Sequence, residues 1–230
     1  MCGRYTLTNP TQIPLRFEAE VDGDGDAIGD PAYNIAPTQS VAVVTERQGT
    51  HQRVLTRMRW GFQPAWMKEK EPGKPAPINA RAETIAERPM FRGALARQRC
   101  LIPADGFYEW QEAAGQRAKQ PYYIHLKDSS LFALAGIYTR GQDAAGELWA
   151  SCAIVTTEPN SLMTSIHNRM PVILPRDLEA AWLDSTLTDP AFALGCLRPY
   201  RADLMEAYPV SPMVSSARNN GAALLEPLGW

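Results

Sequence analysis

Cys2 is the residue whose place in the chain gives it the most unusual chemistry. Because Cys2 is small, removal of the initiator Met1 would leave a free α-amine beside its thiol. The ordinary pKa values of these groups are about 8 and 8.5, so we expect both to be partly deprotonated near pH 7. A 1,2-aminothiol condenses with an aldehyde, first to an imine and then to a thiazolidine ring. An internal cysteine lacks the free amine that this reaction needs.

Two other titratable side chains lie inside or beside apolar runs. Glu109 stands between two aromatic residues, where a carboxyl has a raised pKa that suits a general acid near neutrality. An outward glutamate on an ordinary strand is the alternative. His167 lies with Arg169 in a polar segment at the predicted end of a helix, where it could transfer protons. Taken singly, Cys2, Glu109 and His167 could each be structural.

The charge of the chain is unevenly distributed. The net charge is -2, yet the segment from Arg53 to Arg99 contains 11 Lys and Arg residues against 4 Asp and Glu, which gives it +7. Such segregation offers phosphates a basic surface, although an ordinary solvated surface has the same composition. Within this segment Asn79 can orient a nucleophile, Arg81 can fork onto a phosphate, and Trp66 can stack on unpaired bases.

Strand-like runs dominate the chain and predict an α+β fold, mostly antiparallel, curled into an open barrel and flanked by helices. The predicted strands are Val41–Thr45, Val54–Trp60, Leu101–Trp110, Tyr122–Leu126, Leu131–Tyr138, Leu148–Thr157, Met170–Leu174 and Ala207–Val210. The predicted helices are Thr11–Glu18, Pro89–Gln98, Pro159–Ile166, Pro175–Leu183 and Asp189–Leu197. Three of them begin at a proline, which suits the first turn of a helix. Without a linker or a repeat, residues 1–230 are expected to form one domain.

Composition narrows the class of protein. The chain is 45% hydrophobic and 21% charged, which is typical of a globular protein with a sizeable core. No apolar run approaches the ~20 residues of a membrane helix, and no leader-like pattern opens the chain. Four scattered cysteines then favour reduced thiols over a disulfide framework. We therefore expect a soluble cytoplasmic protein.

Several motifs occur together and in a fixed order. They are Met1–Tyr5, Tyr33–Pro37, Trp60–Gly61, Asn79–Thr84, Arg88 with Met90 and Phe91, Pro103–Trp110, Thr156–Thr157 and His167–Pro171. The ordered set resembles the SRAP family, whose name stands for SOS-response-associated peptidase. Each motif is weak alone, but the set is specific and extends from residue 2 to about residue 227.

The resemblance implies a single α+β domain with a positively charged groove for single-stranded DNA or a single-strand/duplex junction. It implies a monomer that uses no cofactor and no metal ion. The expected reaction shields an abasic site through a thiazolidine cross-link between Cys2 and the ring-opened deoxyribose. The catalytic residues that it implies are Cys2, Asn79, Glu109 and His167. The DNA-binding residues that it implies are Arg4, Asn34, Pro37, Trp66, Arg81, Met90, Thr156 and Arg169.

Two other functions remain open at this point. Cys2 and His167 could form a cysteine peptidase, whose best case is removal of Met1 by the protein itself. The chain could also bind single strands without any chemistry. The sequence departs from the family pattern at Asn168, where an aspartate is usual, and loss of that charge is expected to lower the pKa of His167. Ser216 likewise stands where an asparagine is expected.

Overall fold

The computed structural model describes residues 2–23, 25–47, 49–64, 66–67, 75–112, 115, 118–143 and 145–229. Within these residues the chain forms fourteen strands and four α-helices, which confirms the predicted α+β class. The helices are α1 (Ile13–Phe17), α2 (Pro89–Arg97), α3 (Arg176–Leu183) and α4 (Pro190–Cys196). The strands are β1 (Tyr5–Leu7), β2 (Ala19–Val21), β3 (Ala32–Ile35), β4 (Ser40–Glu46), β5 (Arg53–Trp60), β6 (Asn79–Arg81), β7 (Arg99–Ala104), β8 (Gly106–Gln111), β9 (Gln120–Leu126), β10 (Phe132–Gln142), β11 (Leu148–Thr157), β12 (Met170–Pro171), β13 (Ile173–Leu174) and β14 (Met205–Pro209).

The larger sheet curls until it closes. Strands β11, β10, β7, β4 and β5 are antiparallel neighbours in that order, and parallel pairing of β5 with β11 completes a five-stranded barrel. The closing pairs are Ser151 with Arg59 and Cys152 with Trp60. The predicted curled sheet is confirmed, but the barrel is closed rather than open. Alternating hydrophobicity along single strands carries no information about a parallel contact between distant segments.

A second sheet carries the residues of greatest chemical interest. Its strand order is β14-β9-β8-β1-β3, with antiparallel neighbours throughout. The prediction of a single strand over Leu101–Trp110 is wrong, because β7 belongs to the barrel and β8 to this second sheet. The chain passes from one sheet to the other at Asp105, whose backbone N–H donates to the carbonyl of Thr6. The ten-residue segment Leu101–Trp110 therefore contributes one strand to each of the two sheets.

The helix predictions succeed where proline begins the helix and packing supports it. Helices α2, α3 and α4 lie within the predicted ranges, with Pro89 as the first residue of α2 and Pro175 as the N-cap of α3. The helix predicted over Pro159–Ile166 is wrong, since only Met163–Ser165 is helical, as a 3-10 turn. The side chain of Asn160 caps that turn by accepting from the N–H of Met163 at 2.9 Å.

The barrel interior forms the main core, and the second sheet contributes to it. Trp60 is fully buried, and the ring of Tyr5 from β1 packs edge-on against it at 5.4 Å. All four cysteines are buried and free. Among the described residues, no helix has the length and apolar character needed to cross a bilayer.

Gly136 gives a test of how tightly the barrel is packed. A methyl group on Gly136 of β10 would lie 2.7 Å from Cys100 Sγ and 3.0 Å from Ile102 Cδ1. We expect Gly136→Ala to destabilise the protein by about 1–3 kcal/mol through overpacking, measured by urea denaturation. Gly195→Ala is the control, because nothing lies within 4 Å of its added methyl group in α4. Equal stabilities of the two variants would contradict the described packing.

Candidate active site

The pairing of β1 with β8 brings the start of the chain to the site. Tyr5 pairs with Phe107, and Thr6 pairs with Gly106. The N–H of Tyr108 donates to the carbonyl of Arg4 at 3.0 Å, which extends the ladder towards the amino terminus. Since the strands are antiparallel, the residues before Arg4 advance along β8 in the direction of Glu109.

Two further segments complete the site. Strand β6 runs parallel to β11, and its first residue, Asn79, donates through Nδ2 to the carbonyl of Cys2 at 3.0 Å. His167 follows the Met163–Ser165 turn, and its Nε2 lies 3.9 Å from Glu109 Oε2. The structure therefore brings together Cys2, Asn79, Glu109 and His167, although they come from four separate segments of the chain.

Glu109 is enclosed by the protein although it lies near the end of a strand. Its side chain is 2% exposed, which excludes the outward-facing alternative. Burial raises the pKa of Glu109 to about 7. Taking a carboxylate out of water disfavours its charged form, and this is the direction expected from its aromatic neighbours in the sequence. A carboxyl with this pKa can both donate and accept a proton at neutral pH.

The Cys2 thiol differs from the sequence-based expectation. Cys2 is fully buried, and burial together with the nearby charge of Glu109 raises the pKa of its thiol well above the ordinary value. The thiol is therefore protonated at neutral pH rather than partly ionised. Any reaction of its sulfur needs a base to accept the proton, and Glu109 is the carboxylate whose charge reaches the thiol.

The ring of His167 is oriented by the backbone two residues further on. Nδ1 of His167 lies 3.0 Å from the backbone nitrogen of Arg169 and 3.2 Å from its carbonyl oxygen, so Nδ1 accepts in one neutral tautomer and donates in the other. In both tautomers Nε2 is the ring nitrogen that lies towards Glu109. Burial lowers the pKa of His167 below its ordinary value. The direction agrees with the expectation based on Asn168, but the first cause is burial.

Two of the predicted DNA-binding arginines are partly occupied by the protein itself. Arg169 is 14% exposed, and its guanidinium forks onto the carboxylate of Glu83 at 2.6 and 2.9 Å. Arg4 donates to the carbonyl of Ser215 at 3.4 Å. Within the described residues, the buried Nε atoms of both arginines have no hydrogen-bond partner. Both atoms are enclosed by the protein, so a ligand reaches them only if neighbouring side chains move.

Asn34 and Thr156 are buried and make hydrogen bonds within the protein. Asn34 is 3% exposed, and its Nδ2 donates to three main-chain carbonyls, those of Val214, Ser216 and Asn219. Thr156 is fully buried in β11, and its carbonyl accepts from Arg169 at 2.7 Å. These two side chains are therefore enclosed by the protein, and an effect of either on DNA binding would pass through neighbouring residues. The bond to Ser216 uses only its backbone, so the replacement of asparagine there leaves that bond intact.

The other predicted DNA-binding residues differ in exposure. Trp66 is 67% exposed and Arg81 is exposed, so both can meet a ligand directly. Pro37 and Met90 are half-buried, and Met90 packs against the core. An exposed tryptophan suits base stacking, and an exposed arginine suits phosphate binding.

Sequence reasoning missed three residues that support the site. They are Thr6 and Asp105, which bond to each other, and Glu83, which holds Arg169. Arg169 in turn holds the pKa of the Glu83 carboxyl below its ordinary value. The signal for Asp105 was a carboxylate inside an apolar run, four residues before Glu109. Glu83 stands in the same motif as Asn79, but its partner is 86 positions away in the sequence.

Comparison with known proteins identifies the class. Residues 1–217 match the family model described as SOS response associated peptidase (SRAP), so the chain belongs to this family and the resemblance is confirmed. The abasic site processing protein YoqW of Bacillus subtilis (strain 168) is 43% identical over 230 residues, which cover 98% of this chain and 99% of that protein. The abasic site processing protein HMCES of Mus musculus is 32% identical, over 99% of this chain and 76% of its own length.

Solved structures of similar shape extend the comparison to the fold. A crystal structure of a protein from Bacteroides thetaiotaomicron covers 99% of this chain and 100% of its own, with a TM-score of 0.86 and 28% identity. A crystal structure of a protein from Bordetella bronchiseptica covers 91% of this chain, with a TM-score of 0.74 and 26% identity. The barrel with its second sheet is therefore an arrangement that the chain shares with these proteins.

The burial of Glu109 predicts how stability depends on pH. Because its folded pKa lies near 7, above the ordinary value of 4.5, the folded state holds the proton more tightly than the unfolded state. The resulting stabilisation is complete below pH 4.5 and is lost as pH rises through 7. We expect the parent protein to lose up to about 3 kcal/mol over this range relative to Glu109→Gln, measured by urea denaturation at each pH. A parallel pH dependence of the two proteins would contradict the assignment, and Glu158→Gln is the exposed control.

Proposed function

We propose that this chain shields abasic sites in single-stranded DNA by a covalent bond to Cys2 after removal of Met1. The convergence of Cys2, Asn79, Glu109 and His167 is the observation that carries the proposal. Two of the relatives are named abasic site processing proteins and match nearly the whole chain, which supports the same substrate class here.

The first step opens the sugar. An abasic deoxyribose is mostly a closed hemiacetal, in which no aldehyde is available. Glu109, with a pKa near 7, donates a proton to the ring oxygen as the bond from that oxygen to C1 breaks. With Nδ1–H donating to the carbonyl of Arg169, His167 accepts the proton of the C1 hydroxyl at Nε2 and then passes it to the Glu109 carboxylate. The products are an aldehyde and a ring-opened alcohol.

The second step forms two bonds to C1. The Cys2 amine adds to the aldehyde, and loss of one water molecule gives an imine. The thiol then adds to the same carbon: its proton passes through Glu109 to the imine nitrogen as sulfur bonds to C1. The balance is one aldehyde and one aminothiol to one thiazolidine and one water, with no oxidation or reduction. Burial keeps the thiol protonated until this moment, which favours attack by the amine first.

The bound strand would be held by groups that surround the chemical centre. Arg81 offers an exposed cation to phosphate oxygens. Arg4 and Arg169 are engaged within the protein and would contact the strand after a local rearrangement. Trp66 offers an exposed ring for an unpaired base. We propose that the protein acts as a monomer on a single strand or a single-strand/duplex junction. A cysteine peptidase fits less well, because its nucleophile needs a lowered thiol pKa.

The free amine of Cys2 gives the most direct test. A variant with an extra residue retained before Cys2 should form no stable product with an abasic oligonucleotide on a denaturing gel, because neither imine nor thiazolidine can form. Cys2→Ala keeps an amine and should form only an imine, trapped by borohydride and otherwise unstable. A heat-stable product from either variant without reduction would contradict the mechanism, and turnover of peptides by the mature protein would favour the peptidase.

The DNA groove is tested by the salt dependence of binding to intact single strands. Arg81→Ala should weaken binding and reduce the slope of log K against log salt by about 0.7, the value for one phosphate contact on a single strand. Arg201→Ala is the matched control, because Arg201 is exposed but paired with Asp203 at 2.5 Å. An unchanged slope in Arg81→Ala, or an equal fall in both variants, would show that Arg81 makes no specific phosphate contact.

A further inference from the structure

We propose that Asp105 and Thr6 are positioning residues for the cross-linking reaction, which act by holding the amino-terminal strand in register with β8. The inference rests on the proposed function, since it concerns the alignment of Cys2 with Glu109. Neither residue touches the reacting atoms. They would act through the two strands that position the reacting groups. Cys2 lies four residues before Thr6 of β1, and Glu109 of β8 lies four residues after Asp105.

The contacts of Asp105 form a clamp on the amino-terminal segment. Its Oδ1 accepts from Thr6 Oγ1 at 2.5 Å. Its Oδ2 accepts from both the backbone N–H and the hydroxyl of Thr8, at 2.5 and 2.7 Å. Three donors from one short stretch of chain thus converge on one carboxylate. The backbone N–H of Asp105 also donates to the carbonyl of Thr6 at 3.0 Å.

The clamp is closed on its other side by β9. The hydroxyl of Tyr123 lies 3.2 Å from Thr6 Oγ1, so the threonine is fixed between a carboxylate and a phenol. Gly106 leaves the space that the phenol fills, because a methyl group there would lie 2.2 Å from Tyr123 Oη. Thr6 is fully buried and Asp105 is 9% exposed. Water cannot easily replace these bonds, which makes their loss costly.

The backbone ladders of β1 are short on both sides. The strand has three residues, with two paired positions to β8 and two to β3, and the pairing with β3 shifts register between Tyr5 and Leu7. Terminal segments usually fray unless other contacts fix them. A displacement of 1 Å between reacting groups can cost about 10²-fold in rate. The side-chain clamp therefore supplies the alignment that so short a ladder cannot guarantee.

The test compares substitutions of nearly equal volume at Thr6. Thr6→Val removes the hydroxyl and keeps the shape, whereas Thr6→Ser keeps the hydroxyl. We expect Thr6→Val to slow cross-linking to an abasic single strand about 10- to 100-fold with little change in affinity for the intact strand. Thr6→Ser should restore most of the rate. Thr45→Val is the matched control, since Thr45 is 2% exposed in β4 on the barrel. Intact mass must first show that Met1 is removed from every variant.

A second variant keeps the inference testable if Thr6→Val folds poorly. Asp105→Asn replaces one accepting oxygen by an amide and should slow the reaction by a similar factor at unchanged affinity. Equal rates of the parent, Thr6→Val and Asp105→Asn would overturn the positioning role. So would equal slowing by Thr6→Val and Thr45→Val, because the effect would then follow stability. If the parent itself forms no cross-link, the proposed function fails instead, so the two failures are distinguishable.

Discussion

The antiparallel pairing of β1 with β8 is the contact on which the candidate site depends. It joins the first residues of the chain to the strand that carries Glu109, and the bond from Tyr108 N–H to the carbonyl of Arg4 extends this alignment towards Cys2. The barrel supplies the fixed surroundings, because β11 positions both β6 with Asn79 and, through β12, the segment after His167. A nucleophile at the end of a chain is useful only if that end is held as firmly as an internal strand.

Burial gives the assembled groups their proton chemistry. The same low-polarity surroundings raise the pKa values of Glu109 and of the Cys2 thiol and lower that of His167, so all three favour their neutral forms. Three neutral groups in contact can exchange protons without moving a net charge into or out of the site. In the proposed reaction every step is such an exchange, since ring opening, loss of water and ring closure each shift protons between oxygen, nitrogen and sulfur.

The sequence predicted the parts of this arrangement that depend on local patterns or on ordered motifs. It predicted the long strands, the helices α2, α3 and α4, and the four residues that the structure brings together at the candidate site. It could not reveal the closure of the barrel or the change of sheet at Asp105, which depend on contacts between distant segments. The strands β1, β2, β3 and β6 were missed because three or four residues are too few to show alternation. The raised pKa of the Cys2 thiol was missed because burial of a terminal residue cannot be inferred from its neighbours in the chain.

The ion pair between Arg169 and Glu83 limits how far Arg169 can contribute to the binding of phosphates at the edge of the candidate site. An arginine beside the reacting groups would attract any phosphate if its two terminal nitrogens were unpaired. Here both nitrogens donate to the carboxylate of Glu83, and only the buried Nε lacks a hydrogen-bond partner among the described residues. The backbone of the same arginine orients the ring of His167, so its position matters even without a ligand. The buried Nε has no exposed surface, so a phosphate that binds Arg169 in the proposed way must displace Glu83, which costs a bidentate ion pair. In the proposed mode, affinity for undamaged strands would therefore come mainly from exposed groups such as Arg81 and Trp66.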